Sequence, residues 1–142
     1  MEFNEVTMEV NHRVFRINFA QLENAVIAFF FEDRIRLGTL AIAMHGTGEV
    51  AVGRSSVLIG GQYLMTTRAL AERLAGKTGK MALVSLFTEL GENDALRIYA
   101  KLLDKVSIPK KNENNLNHSN ESIRVNTRRR GSTKNFRSGV GD

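Results

Sequence analysis

The first twenty residues alternate between apolar and polar side chains. Val14–Phe19 places an aromatic or aliphatic residue at every second position, which is the period of a strand with one buried face. Val6–Val10 alternates in the opposite parity, so Asn11-His12-Arg13 is predicted to form a turn or a bulge between two strands. This region is therefore predicted to contribute two strands to a sheet.

Longer apolar runs follow. Ala25–Phe31 and Leu37–Met44 are separated by the charged segment Glu32–Arg36, and we predict an antiparallel hairpin with a charged tip. Two further strand regions complete the predicted sheet: Val50–Val52 with Ser55–Ile59, and Met81–Phe87.

Two segments have helical periodicity. Thr66–Ala75 carries the Leu70/Leu74 pair, with Thr66 suited to the N-cap and Gly76 to the position after the last turn. Asn93–Val106 repeats apolar residues at helical spacing, with acidic residues near its start and lysines near its end. Both segments are predicted to be helices.

These elements predict an α+β fold: a single, mostly antiparallel sheet of about six strands with two helices on one face. Ala25–Phe31, Leu40–Met44 and Met81–Phe87 are nearly continuously apolar, which is typical of strands that are covered on both faces. Two helices can cover only one face, so we expect a second chain to bury the other face in a sheet-to-sheet dimer. The alternative is a monomer whose N-terminal segment folds over the sheet.

The candidate dimer interface consists of apolar strand residues, although alternation leaves open which parity faces the helices. These candidates are Val26, Ala28, Phe30, Leu40, Ile42, Val84 and Leu86.

Charge divides the chain into two parts. Residues 1–108 hold 12 basic and 12 acidic residues, whereas residues 109–142 hold 8 basic and 3 acidic ones and account for the whole net charge of +5. The second part contains the only proline and few large apolar residues, so it cannot bury enough surface to offset its ordering entropy. We predict a domain over 1–107 and a disordered basic tail over 108–142. Arg128, Arg129 and Arg130 are its candidate contacts to an acidic partner.

Signals of catalysis and cofactor binding are absent from the sequence. The chain has no cysteine, and His12, His45 and His118 lack a second ligand at metal-site spacing. Gly76-Lys77-Thr78 lacks the upstream glycine of a phosphate-binding loop, because position 71 is alanine. We therefore expect no enzymatic activity, no cofactor and no metal.

The localisation expected from the sequence is cytoplasmic. The acidic start lacks the pattern of a signal peptide, and the longest apolar run is too short to span a bilayer. The lack of cysteine fits a reducing compartment.

The middle of the chain resembles the proteasome assembly chaperone 4 family. The similarity is carried by a small apolar strand ending in Ala-Met, a serine-rich strand ending in Leu-Leu-Gly, a helix end of the form Leu-Ala-x-Arg-Leu-Ala-x-Lys-Thr-x-Lys, and a Val-Ser strand. In this sequence the corresponding segments are Leu40–Met44, Val50–Gly60, Ala69–Lys80 and Met81–Ser85. The resemblance extends over about residues 13–106, and its specific part is 40–85.

The resemblance implies a function. Members of that family form one half of a heterodimer with assembly chaperone 3, in which two sheets pack face to face between outer helices. The dimer helps to assemble the alpha-subunit ring of the proteasome core particle and has no enzymatic activity. Expected partners are therefore an alpha subunit and either a chaperone 3-like chain or a second copy of this one.

This sequence departs from the family in its basic tail, and it does not end in the hydrophobic-Tyr-x motif of other proteasome chaperones and activators. Docking by insertion of the carboxyl terminus is therefore not expected. A second hypothesis is a small dimeric α+β module that binds nucleic acid or another acidic partner through the basic tail, with a steep dependence on salt. A small enzyme is a third hypothesis, but the sequence shows no convergent polar pocket for it.

Overall fold

One six-stranded sheet carries two helices on the same face in the computed structural model of the protein. The structure describes residues 1–46 and 54–107. The chain divides into two units, Met1–Lys110 and Lys111–Asp142, and all described residues belong to the first. The predicted basic tail, 108–142 with Arg128, Arg129 and Arg130, and the predicted strand segment Val50–Val52 lie outside them. The strands are β1 Phe3–Val10, β2 Arg13–Gln21, β3 Ala25–Glu32, β4 Thr39–Met44, β5 Arg54–Ile59 and β6 Met81–Leu86; the helices are α1 Leu64–Thr78 and α2 Glu92–Asp104.

The strand order is β1-β2-β3-β6-β4-β5, and every neighbouring pair except β3 and β6 is antiparallel. The predicted α+β class with a mostly antiparallel sheet and two helices is confirmed. The predicted hairpin of β3 with β4 is wrong, because β6 lies between these strands and pairs with both.

The connection from β3 to β4 passes the end of β6 closely. The Gly38 amide donates to Ser85 Oγ at 2.9 Å, and a Cβ at Gly38 would come within 1.9 Å of the Leu86 carbonyl oxygen. Only glycine fits at this position, where the chain passes the end of β6 on its way from β3 to β4 on the other side of β6.

The turn between β1 and β2 was predicted correctly. Asn11 and His12 both have positive φ, at 50° and 64°, as a two-residue turn that follows the strand twist requires. The short turn places Val6 opposite Ile17 and Met8 opposite Phe15, so the two alternating segments share one buried face despite their opposite parity.

Helix α1 is longer than predicted. It begins after Tyr63, and Thr66 lies within its first turn, where its hydroxyl donates to the Glu92 carbonyl at 3.3 Å. The helix continues through Gly76 and ends at Gly79, whose φ of 67° is left-handed and whose amide donates to Ala75 O at 2.8 Å. The glycine that ends the helix is therefore Gly79 and not Gly76.

Helix α2 lies beside α1, and the two helices start close to each other and end close to each other. The Tyr63 hydroxyl donates to Leu90 O at 2.6 Å near the two helix starts, and Lys77 Nζ donates to Leu103 O at 2.8 Å near the two helix ends. The lysine adds a hydrogen bond to a carbonyl at the end of α2 that also accepts from the Val106 amide at 3.0 Å.

The core lies between the two helices and one face of the sheet. Tyr99 of α2 is fully buried and meets the rings of Phe15 and Phe30 edge-on, with centroid distances of 5.6 and 5.7 Å. Neither helix in the described ranges is long and apolar enough to cross a membrane.

Candidate protein-interaction surface

The strand register assigns every strand residue to one of two faces. Ile17 lies opposite Phe30, and Phe30 pairs with Leu86, so the three side chains lie on the same face of the sheet. All three belong to the core cluster that includes residues of both helices, so this face is the one that the helices cover. Five of the seven predicted interface residues belong to this helix-covered face and are at most 1% exposed, so the core of the chain already buries them. They are Val26, Ala28, Phe30, Val84 and Leu86.

The other two predicted interface residues lie on the opposite face. Leu40 pairs with Ser85, and Ile42 pairs with Leu83, in the parity that points away from the helices. We call this side the open face, because both helices pack on the other side and no other described element covers it. A partner chain that covered the sheet would contact Leu40 and Ile42 and none of the other five.

The open face is organised in rows that run across the strands. The central row contains one residue from each strand, and all but Ser56 are apolar. In strand order they are Phe3, Ala20, Ile27, Leu83, Ile42 and Ser56. The adjacent row, which we call the second row, is Glu5, Asn18, Phe29, Ser85, Leu40 and Ile59.

An apolar strip occupies β3, β6 and β4. Ile27, Phe29, Leu83, Leu40 and Ile42 are only partly buried, although they lie on inner strands of the sheet. Large apolar side chains in this position gain about 25 cal/mol per Å² when a partner removes them from water. The strip is therefore a contiguous surface that favours association.

The flank formed by β1 and β2 is polar. Arg16 donates to Glu5 Oε1 at 2.7 Å, while Glu9 is exposed and forms no ion pair with another described residue. Arg16 Nε and Asn18 Oδ1 are buried without a hydrogen-bond partner in the described part of the chain. The open face thus combines an apolar strip with a charged, incompletely satisfied flank.

The opposite flank is the edge strand β5. A bulge interrupts its pairing with β4 next to Leu40, and Leu58 and Ile59 are 52% and 67% exposed. Arg54, at the start of the strand, is exposed and pairs with Met44. The apolar strip therefore continues to this edge of the sheet.

Polar groups elsewhere have structural contacts. Ser55 donates to Glu72 and accepts from Arg68 Nε at 3.0 Å, which ties β5 to α1. Lys77, from the Gly-Lys-Thr segment, lies in the last turn of α1 and donates to carbonyls of α2. His12 and His45 are exposed, His118 lies outside the described residues, and residues 1–46 and 54–107 hold no group of three side chains suited to a metal.

No protein-family model and no curated protein matches the sequence. The fold is similar to that of a chain in a solved structure, the crystal structure of a novel chaperone complex for yeast 20S proteasome assembly. The TM-score is 0.52 at 8% sequence identity, and the match covers 73% of this chain and 97% of that chain. The fold is therefore shared with a chain of that complex. At this identity the similarity concerns the fold, and membership of the assembly chaperone 4 family stays a prediction.

Sequence reasoning missed three central residues of the open face: Ile27, Phe29 and Leu83. Their strands are apolar in both parities, so periodicity alone does not separate the two faces. The signal was present in β2, where only one parity is apolar. The short connection Leu22–Asn24 makes β2 and β3 neighbours, and the observed pairing of Phe19 with Ala28 assigns Ala28 and Phe30 to the core.

Proposed function

We propose that this chain is a non-catalytic assembly chaperone of the cytoplasm. It dimerises through the open face and promotes assembly of the alpha ring of the proteasome core particle by binding an alpha subunit. The observation that carries the proposal is the apolar open face in a fold shared with a chain of a complex for yeast 20S proteasome assembly. The resemblance of residues 40–85 to assembly chaperone 4 supports the same function.

The proposed activity requires binding and no chemical step. A chaperone that holds one ring subunit and contacts its neighbour turns their association into an effectively intramolecular event, with an effective concentration set by the geometry of the complex. The described residues fit such a role, because the partly exposed apolar strip on β3, β6 and β4 offers a surface for a protein partner. The partner across the open face is a chain of the same fold, either a chaperone 3-like protein or a second copy.

The test is to mix the full chain with purified proteasome alpha subunits and to follow complexes by size-exclusion chromatography with light scattering. We expect a stable complex with an alpha subunit and faster formation of alpha rings than without the chain. A full chain that binds no alpha subunit and leaves ring formation unchanged would overturn the proposal.

The second candidate function is binding of nucleic acid or another acidic partner through the tail. The specific observation is that residues 109–142 hold all of the net charge of +5. A chain cut after Ser107 retains Val106, which is 2% exposed and belongs to the core, and so serves as the control. Binding to the alpha subunit that survives this cut supports the chaperone. Nucleic-acid binding that falls steeply between 50 and 200 mM salt, by roughly 10³-fold or more for six or more phosphate contacts, and disappears with the cut supports the alternative.

A further inference from the structure

We propose that the open face pairs with a second copy of this chain, about a two-fold axis that runs across the strands along the central row. The inference rests on the proposed function only in taking the open face as the interface. It adds the identity of the partner and the symmetry of the pair.

The size of the face requires that nearly all of it be covered. Six strands about 20 Å long and about 4.8 Å apart present a flat area of about 600 Å² on one chain, and hence about 1,200 Å² on two, the lower end of stable interfaces. Contact through only four strands would bury about 800 Å² in total, which is the size of a crystal contact. A stable pair therefore includes the polar flank of β1 and β2 as well as the apolar strip.

An axis across the strands meets this requirement. It places every strand over its own copy, so the apolar strip of β3, β6 and β4 packs on the same strip, and the polar flank packs on the polar flank. Such a patch is self-complementary, as a two-fold interface requires. An axis along the strands at the centre of the sheet would instead place β2 over β4, with Asn18 over Leu40 in the second row, which would bury a polar group against the apolar strip.

The charges agree with the axis across the strands. Arg16 lies in the row beyond Asn18, two rows from the central row. Rotation about the central row carries it over the opposite end of β2 in the second copy, where the exposed Glu23 lies in the turn to β3. Opposite charges thus meet at the end of the interface, and Arg16 does not face its own copy.

The sequence contains no cysteine, so single cysteines report on the symmetry directly. Phe3 and Ser56 lie in the central row at opposite edges of the sheet, five strand spacings or about 24 Å apart. Under the proposed axis each of them lies near its own copy. In the full chain, we expect Phe3→Cys and Ser56→Cys each to form a covalent dimer with a short bis-maleimide. Glu9→Cys, on the same strand as Phe3 but three rows from the axis, is the matched control and should not cross-link.

Three results would overturn the inference. The first is a full chain that is a monomer by light scattering at tens of micromolar. The second is cross-linking of Leu83→Cys while neither edge variant cross-links, which would place the axis along the strands. The third is cross-linking of Glu9→Cys to the same extent as Phe3→Cys. Failure here is distinct from failure of the proposed function. If the chain is a monomer that pairs with a different chain of this fold and binds an alpha subunit, the proposed function stands and the homodimer is rejected. If the chain cross-links as a homodimer but does not bind alpha subunits, the homodimer stands and the proposed function is rejected.

Discussion

At the scale of single residues, Tyr99 combines a well-packed aromatic ring with a buried hydroxyl group that lacks a hydrogen-bond partner among the described residues. Its ring is fully buried edge-on between Phe15 and Phe30, but its hydroxyl has no hydrogen-bond partner among the described residues. The neighbouring Thr88 donates its own hydroxyl to Glu32 instead, at 2.9 Å. Burial raises the pKa of Tyr99 well above its ordinary value, because the phenolate would lose its hydration inside the core.

Tyr99→Phe is therefore expected not to lower the free energy of unfolding at neutral pH, and to be more stable than the wild type at high pH. Removing an unpaired hydroxyl should leave the free energy of unfolding unchanged or raise it by up to about 1 kcal/mol. Above pH of about 10 the unfolded tyrosine ionises while the buried one stays protonated, so the wild type loses stability relative to the variant, by about 1.4 kcal/mol at pH 11. Urea unfolding at pH 7 and pH 11 measures both effects.

Tyr63→Phe is the matched control for this experiment. The Tyr63 hydroxyl donates to Leu90 O at 2.6 Å, so its removal is expected to cost about 1 kcal/mol at neutral pH. Equal losses for the two variants at pH 7, or a Tyr99→Phe curve parallel to the wild type up to pH 11, would contradict the assignment of Tyr99.

At the scale of elements, most strands and both helices could be predicted, because their periodicity reflects burial on one side. The ends of α1 could not. Two glycines, Gly76 and Gly79, each precede a lysine at the end of this segment, and sequence does not say which one adopts the left-handed conformation. The structure assigns it to Gly79, with φ of 67°, and keeps Gly76 inside the helix.

Replacement of the two glycines by alanine is expected to change the free energy of unfolding in opposite directions. Gly79→Ala forces a side chain into left-handed backbone and should lower the free energy of unfolding by about 1 to 2 kcal/mol. Gly76→Ala meets no atom within 4 Å of the new Cβ and improves helix propensity, so it should raise stability by about 0.5 to 1 kcal/mol. Chemical denaturation of both variants measures the signs; a larger loss at position 76 than at 79 would contradict the helix end described here.

At the scale of the whole molecule, sequence alone predicted that one sheet face needs a cover but not which residues form it. The order β3-β6-β4 depends on the crossing at Gly38, a contact with the Leu86 carbonyl that no local pattern encodes. The choice between the two parities of β3 and β6 depends on pairing with β2, since both parities are apolar. For these reasons the predicted interface set mixed Leu40 and Ile42 with five core residues.

The most direct test of the open face as an interface is the solution mass of the full chain and of Ile42→Asp, by light scattering, alone and with alpha subunits. One chain has a mass of 15.8 kDa. We expect the wild type at about twice this mass and a folded Ile42→Asp as a monomer, because a carboxylate within a buried apolar strip is costly. Phe30→Asp, in the core, should unfold instead. Wild type and Ile42→Asp of the same mass under both conditions would contradict the account.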